Sequence, residues 1–278
     1  MEVRKAATAL VVLLLAACGG GSAAPSPDDL GESTGPPPDL ETTATSPELL
    51  PDLDQASPAA ISVVLREGRE HLAFLSAVEN MGVGPLLLSG RRPNAAEPEM
   101  RARQIVRKAD GTATTYVLEA RLRFIVSATH RHWHLLGFER YELRTPGGEA
   151  VGRDRKTGFC LGDRYDADSG SRIRGEPRRA VWTQECGRGQ RGRLRISEGI
   201  SPGFGDDYVP LLEGQFIDVT GLPPGRYVLI HRANPANDVR ESSYANNAAS
   251  ALLELGRDGQ GSATVTVLAT CPDTASCG

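Results

Sequence analysis

Three of the five histidines in this 278-residue chain, His130, His132 and His134, fall within five positions, in the stretch Thr129-His130-Arg131-His132-Trp133-His134. Imidazole is the commonest protein ligand for metal ions, and three of them can hold Cu²⁺ or Zn²⁺ while leaving a coordination position open for dioxygen or a substrate. The spacing therefore points to metal-assisted chemistry. On a β-strand alternate residues share a face, so the three histidines point one way and Arg131 and Trp133 the other. Successive ligands then stand roughly 6.6 Å apart along the strand, at about 3.3 Å per residue. Two of them reach one ion easily; the third needs twist, a bend or a bulge. A polar face on an exposed sheet is the plainer alternative, and it fits poorly with a chain otherwise so short of histidine. His71 and His231 lack ligand spacing and read as surface or satisfied strand positions.

The segments that must carry this face read as strands. Ile61 to Leu65, Leu72 to Val78, Leu86 to Leu88, Thr115 to Val126, His132 to Leu143, Gln215 to Val219, Arg226 to Arg232 and Ala263 to Leu268 are short β-prone runs. Gly-, Pro- and Asn-rich turns separate them. Long amphipathic helical patterns and repeat periods are both lacking, which predicts an all-β fold: a single β-sandwich-like domain over residues 59–278, with irregular loops and little helix.

The N-terminal part has a different composition. Residues 1–17 combine charged Glu2, Arg4 and Lys5 with a short apolar run ending in Leu15-Ala16-Ala17, the pattern of an export signal, and the run falls short of the about 20 apolar residues that span a bilayer. With Cys18 it resembles the lipobox of bacterial lipoproteins, in which that cysteine carries the lipid. Residues 18–58, rich in Pro, Ser, Thr and acidic side chains, are expected to be a disordered linker that tethers the domain. The chain is thus expected outside the cytoplasm, lipid-anchored at the bacterial cell membrane and touching it only through that anchor. A net charge of −4 spread over both signs gives no nucleic-acid signature. In an oxidising compartment Cys160, Cys186, Cys271 and Cys277 are expected to form two disulfides. Three connectivities are open, and the short loop between Cys271 and Cys277 favours Cys160 with Cys186 and Cys271 with Cys277.

The histidine segment, followed by Phe138-Glu139-Arg140-Tyr141-Glu142-Leu143, resembles the copper-binding segment of the lysyl oxidase family. Further blocks match in the same order: Lys156-Thr157-Gly158-Phe159-Cys160-Leu161-Gly162-Asp163, Ile200-Ser201-Pro202-Gly203 with Asp206-Asp207-Tyr208, and Gln215-Phe216-Ile217-Asp218-Val219-Thr220. The resemblance continues through Leu222-Pro223-Pro224-Gly225-Arg226-Tyr227 to Glu241-Ser242-Ser243-Tyr244-Ala245-Asn246-Asn247, and covers about Ile61 to Leu255. It departs from the family over Arg164 to Arg195 and over Val209 to Gly214, which leaves substrate preference open.

Members of that family are copper amine oxidases whose organic cofactor, lysine tyrosylquinone, joins an oxidised tyrosine to a lysine. The resemblance implies Tyr208 and Lys156 for that cross-link, Cu²⁺ on His130, His132 and His134, and Asp206 as the base, with Asp207 a weaker contender. The expected substrates are a primary amine, including peptidyl-lysine, and O₂. Composition supports the lysine independently: only Lys108 and Lys156 follow the export signal, and Lys156 sits beside Arg153 and Arg155, where another arginine would supply charge equally well. Arginine stays protonated and cannot act as an amine nucleophile. Two other classes remain open: a non-catalytic, metal-stabilised extracellular β-sandwich binding lipoprotein, and a three-histidine zinc enzyme that activates water.

Overall fold

Period-two alternation of apolar and polar residues places one face of most segments inward, and the sheets follow from it. The computed structural model describes residues 46–127, 131–156, 158–167, 170–212 and 214–278. The export signal, Cys18 and most of the linker lie outside the described residues, as does His130. The described residues belong to the unit Thr45–Gly278 and contain no helix, in keeping with an all-β fold.

The strands in chain order are β1 (Glu48–Leu49), β2 (Leu53–Gln55), β3 (Ala59–Arg66), β4 (Arg69–Asn80), β5 (Leu86–Arg91), β6 (Glu99–Lys108), β7 (Ala113–Val126), β8 (Arg131–Leu136) and β9 (Glu139–Arg144). There follow β10 (Ala150–Arg153), β11 (Gly158–Phe159), β12 (Tyr165–Asp166), β13 (Arg195–Ile200), β14 (Phe204–Tyr208), β15 (Phe216–Asp218), β16 (Gly225–Ala233), β17 (Ala248–Arg257) and β18 (Ala263–Cys271). One antiparallel sheet runs β11-β8-β7-β6-β5-β13 with β1 added beside β6, and a second runs β10-β9-β16-β17-β18. The third is organised on the long strand β4, which takes β2, β3, β14 and β15 as partners. Leu72, Phe74 and Val78 on β4 join Trp133, Leu135, Tyr141, Phe159 and Leu229 in one continuous core.

The run from His132 to Leu143, expected as one strand, is two. Gly137 takes a left-handed conformation (φ 70°) that an L side chain would resist. The chain therefore turns there, leaving β8 in the first sheet and β9 in the second. Both disulfides pair as expected, Cys160 with Cys186 and Cys271 with Cys277. His71 and His231 are both buried strand positions, and burial pushes the His231 imidazole down to about 3, so it is neutral.

Folded structure begins earlier than residue 59, which corrects the linker boundary. Leu53 is fully buried, β2 pairs with β4, and the Leu53 N–H donates to Glu241 Oε2 at 2.9 Å. Three apolar side chains, Leu49, Leu50 and Leu53, interrupt the polar tract and carry enough burial to order it. A chain beginning at Ser46 should unfold at the same urea midpoint as the full chain. One beginning at Ala59 should lose about 2–5 kcal/mol, the usual cost of emptying one large core position together with its pairing. Equal midpoints for the two truncations would contradict this boundary.

Candidate active site

Strand pairing assembles the site from three separate stretches of chain. β8 carries His132 and His134 on one face, with ring centroids 4.7 Å apart, while Trp133 is buried on the other. The alternation expected for this strand is thus present over its described part. β11 pairs along the edge of β8, Gly158 opposite Leu136 and Phe159 opposite Leu135, so the residues flanking β11 arrive beside the histidines. A Cβ at residue 158 would stand 2.6 Å from the Leu135 carbonyl oxygen and 2.9 Å from His134 Cβ. Only glycine permits that approach, and it sits two residues after Lys156. β14 pairs with β4, Tyr208 opposite Ser76, and delivers Asp206 and Tyr208 on its inward face.

Lys156 is held by its backbone. Its N–H donates to Asp154 Oδ2 at 2.9 Å, and the Arg155 N–H donates to the Gly214 carbonyl at 3.1 Å. Its side chain is only 9% exposed, and Nζ lies 5.0 Å from the Tyr208 ring centroid and 4.9 Å from that of Phe159. The two rings meet edge to face at 4.9 Å, a favoured aromatic geometry. The amine therefore rests over the ring of the tyrosine with which it was matched in sequence.

The Tyr208 hydroxyl donates to Asp206 Oδ2 at 2.7 Å, and the Gly162 N–H donates to the same oxygen at 3.0 Å. Arg164 Nε lies 3.4 Å from Asp206 Oδ1. Burial is the largest influence on the Asp206 carboxyl and pushes it up to about 7, against the opposing pull of Arg164 and of the two hydrogen bonds. Burial, then the Asp206 charge, pushes the Tyr208 phenol well up, so it is protonated and available as a donor at neutral pH.

A cavity of about 230 Å³ is lined by His132, His134, Lys156, Asp206, Tyr208 and Leu212, with Arg164, Arg188, Glu185 and Asp207 around it. A larger groove of about 690 Å³ lies beside it and shares Glu185 and Arg188, but it is lined by neither imidazole, primary amine nor phenol, so the chemistry belongs in the smaller space. The Arg164 to Arg195 segment, which could not be matched in sequence, supplies part of this wall. It is tied down by the Cys160–Cys186 disulfide and by the Trp133 N–H, which donates to the Cys186 carbonyl at 3.0 Å.

Of the residues singled out in sequence, His132, His134, Lys156, Asp206 and Tyr208 all line the one cavity. Asp207 also lines it but is exposed, pointing to the opposite side of β14 from its neighbours. Among the described residues no three metal-ligating side chains converge. Two residues beside the site were not anticipated, Glu139 and Glu198, both buried carboxyls. A signal for each was present: Glu139 alternates with Tyr141 and Leu143, and Glu198 with Ile196 and Ile200, so period two alone turns both inward.

The sequence profile described as Lysyl oxidase matches residues 93–265. Lysyl oxidase homolog 4 of Mus musculus is 30% identical over 123 residues, covering 42% of this chain and 14% of the relative. Lysyl oxidase homolog 3 of Homo sapiens is 32% identical over 121 residues, 43% of this chain and 14% of the relative. Protein-lysine 6-oxidase of Rattus norvegicus is 30% identical over 145 residues, 50% of this chain and 30% of the relative. The matched region is thus a minor part of each of these longer relatives. The profile spans more than half of the chain, and the chain belongs to the lysyl oxidase family.

Proposed function

We propose that this protein is a copper-dependent amine oxidase that converts primary amines, with O₂ and water, to aldehydes, ammonia and hydrogen peroxide, using a lysine tyrosylquinone built from Lys156 and Tyr208. The observation that carries the reading is the Lys156 amine lying 5.0 Å from the Tyr208 ring centroid inside a cavity that also presents two imidazoles. A binding module has no use for that conjunction, and a water-activating zinc site needs neither the lysine nor the tyrosine.

The donor set suits copper. His132 and His134 present neighbouring imidazoles from one strand face, and the family resemblance adds His130, which lies outside the described residues, as the third ligand. Bound Cu²⁺ and the quinone would supply the electron transfer to dioxygen that no side chain can perform unaided. The chain's own residues supply the rest. Asp206 holds the Tyr208 hydroxyl in place before cross-linking and afterwards serves as the base that removes a proton from the carbon beside the amine nitrogen. Its carboxyl, poised near neutrality by burial, can both take and return that proton. Phe159 and Leu212 form the apolar part of the surroundings, which keeps water from competing for the amine. Asp207, at the cavity with an exposed side chain, favours an incoming ammonium group, whereas Glu185 there is paired with Arg188 at 3.0 Å.

We further place the domain outside the cytoplasm, anchored by lipid on Cys18. The export-type segment and the two disulfides support that location. Simple alkyl amines, polyamines and lysines of surface proteins all present the required primary amine.

Peptide mapping of the full chain after exposure to Cu²⁺ and air should recover the Lys156 and Tyr208 peptides joined. Lys156→Arg should leave them separate and abolish peroxide release from a primary amine while thermal unfolding is unchanged; peroxide release at the wild-type rate would remove Lys156 from the chemistry. His132→Ala should lower copper stoichiometry and activity together.

The pH dependence has a definite sign. Asp206 acts as a base only when ionised, and its pKa of about 7 means that fraction grows as pH rises from about 6 to 8. Activity should rise over that interval, and Asp206→Asn should lower kcat about 10²–10⁴-fold with copper retained. Wild-type kcat in the Asn variant would reassign the base.

A further inference from the structure

Lys156 also lines a second cavity. This one, of about 260 Å³, is lined by neither His132 nor His134, and Glu139, Asp154, Arg140 and Arg153 help to line it. The Glu139 carboxyl is 4% exposed. Its Oε2 accepts from the Tyr141 hydroxyl at 2.6 Å and from the Ser76 hydroxyl at 3.0 Å, so the group is firmly oriented. Its Oε1 is buried with no hydrogen-bond partner among the described residues. A buried carboxyl oxygen without a partner costs free energy, and its retention beside the reactive lysine calls for a use.

We propose that Glu139 is the proton acceptor that lets Lys156 add to the oxidised Tyr208 ring, a role that rests on the amine oxidase reading above. An ammonium has no lone pair, so the Lys156 nitrogen must lose one proton before it can bond to a ring carbon and sheds a second once bonded. Glu139 takes the first of these protons, which frees the lone pair for the Nζ–carbon bond; the second N–H proton and the ring carbon's own hydrogen, as a proton, go to the peroxide formed next. The two electrons left on the ring pass to dioxygen, which with two protons becomes hydrogen peroxide. Dioxygen, the oxidant of the proposed activity, also brings the tyrosine ring to the quinone level beforehand, with water as the other product. The second cavity then gives the proton on Glu139 a route to solvent that avoids the metal side of the site.

The carboxyl's surroundings suit this task. Burial pushes it up to about 7; the hydroxyls of Tyr141 and Ser76 draw it back down, the charge of Asp206 raises it and that of Lys156 lowers it. Arg140, Arg153 and Asp154 line the same cavity, the Tyr208 phenol feels the charge of Glu139, and the neutral His231 packs on the ring of Tyr141. Glu139 therefore changes from proton holder to proton acceptor across the neutral range.

The test is the rate of Lys156–Tyr208 cross-linking in the full chain with Cu²⁺ and air, followed by peptide mapping between pH 6 and pH 9. In the wild type the rate should rise through about pH 7, following the Glu139 carboxyl. Glu139→Gln, which still accepts from Ser76 and Tyr141, should bind copper as before. It should cross-link about a hundredfold more slowly at pH 8, without the rise near neutrality. Tyr141→Phe removes one hydrogen bond from the carboxylate, and its rise should move to higher pH. A Gln variant that cross-links at the wild-type rate, or a Phe variant with an unmoved pH profile, would overturn the role of Glu139 and leave the quinone reading intact. A wild-type chain that binds copper yet never cross-links would overturn both.

Discussion

The structure turns on one contact, the amine of a buried lysine lying against the face of a buried tyrosine. A cation over an aromatic ring is favourable, but a lysine this far from water is costly unless its surroundings compensate. Everything around the pair can be read as that compensation. Short strand β11, stitched to β8 through a glycine, fixes where the lysine leaves the sheet; β14, stitched to β4, fixes the tyrosine. The Cys160–Cys186 disulfide holds the irregular Arg-rich segment against the same wall.

A second constraint is charge. Glu139 and Glu198 are both buried within reach of the charge of Asp206, itself buried, and burial raises the pKa of all three. Three carboxylates cannot all ionise in so small and dry a space against one ammonium and one guanidinium. Protons must be shared among them, and a set of groups that share protons near neutrality is suited to moving them. Titratable groups pushed together in this way are a recurring property of catalytic sites. Here the push has a structural origin, the period-two inward turn of β9, β13 and β14.

Much of this was legible in the residues themselves. Spacing of two along a strand was enough to put His132 and His134 on one face, because strand geometry admits no other outcome. The all-β character followed from short β-prone runs, and the disulfide pairs from the short Cys271–Cys277 loop. The break at Gly137 was harder to see: an isolated glycine between two β-prone runs marks either a bulge or a turn, and only long-range pairing of β9 with β16 decides between them. β6 escaped notice because Arg101, Arg103 and Arg107 alternate with apolar residues and dilute its hydrophobicity, although alternation was its signal. The early start of the fold rests on pairing of β1 with β6 and of β2 with β4 and on the hydrogen bond from Leu53 to Glu241, 188 residues away, contacts that local composition cannot encode. The inward carboxyls Glu139 and Glu198 were predictable from alternation and were obscured by the ordinary expectation that glutamate faces water.

The central claim is that the Lys156–Tyr208 pair becomes a carbonyl-bearing electron acceptor. Phenylhydrazine, which condenses with quinone carbonyls, tests it most directly on the copper-loaded, aerated chain. The account predicts one adduct per chain, coloured, and located by peptide mapping on the joined Lys156 and Tyr208 peptides. A chain that holds copper, stays colourless and takes up no reagent at that position would contradict it.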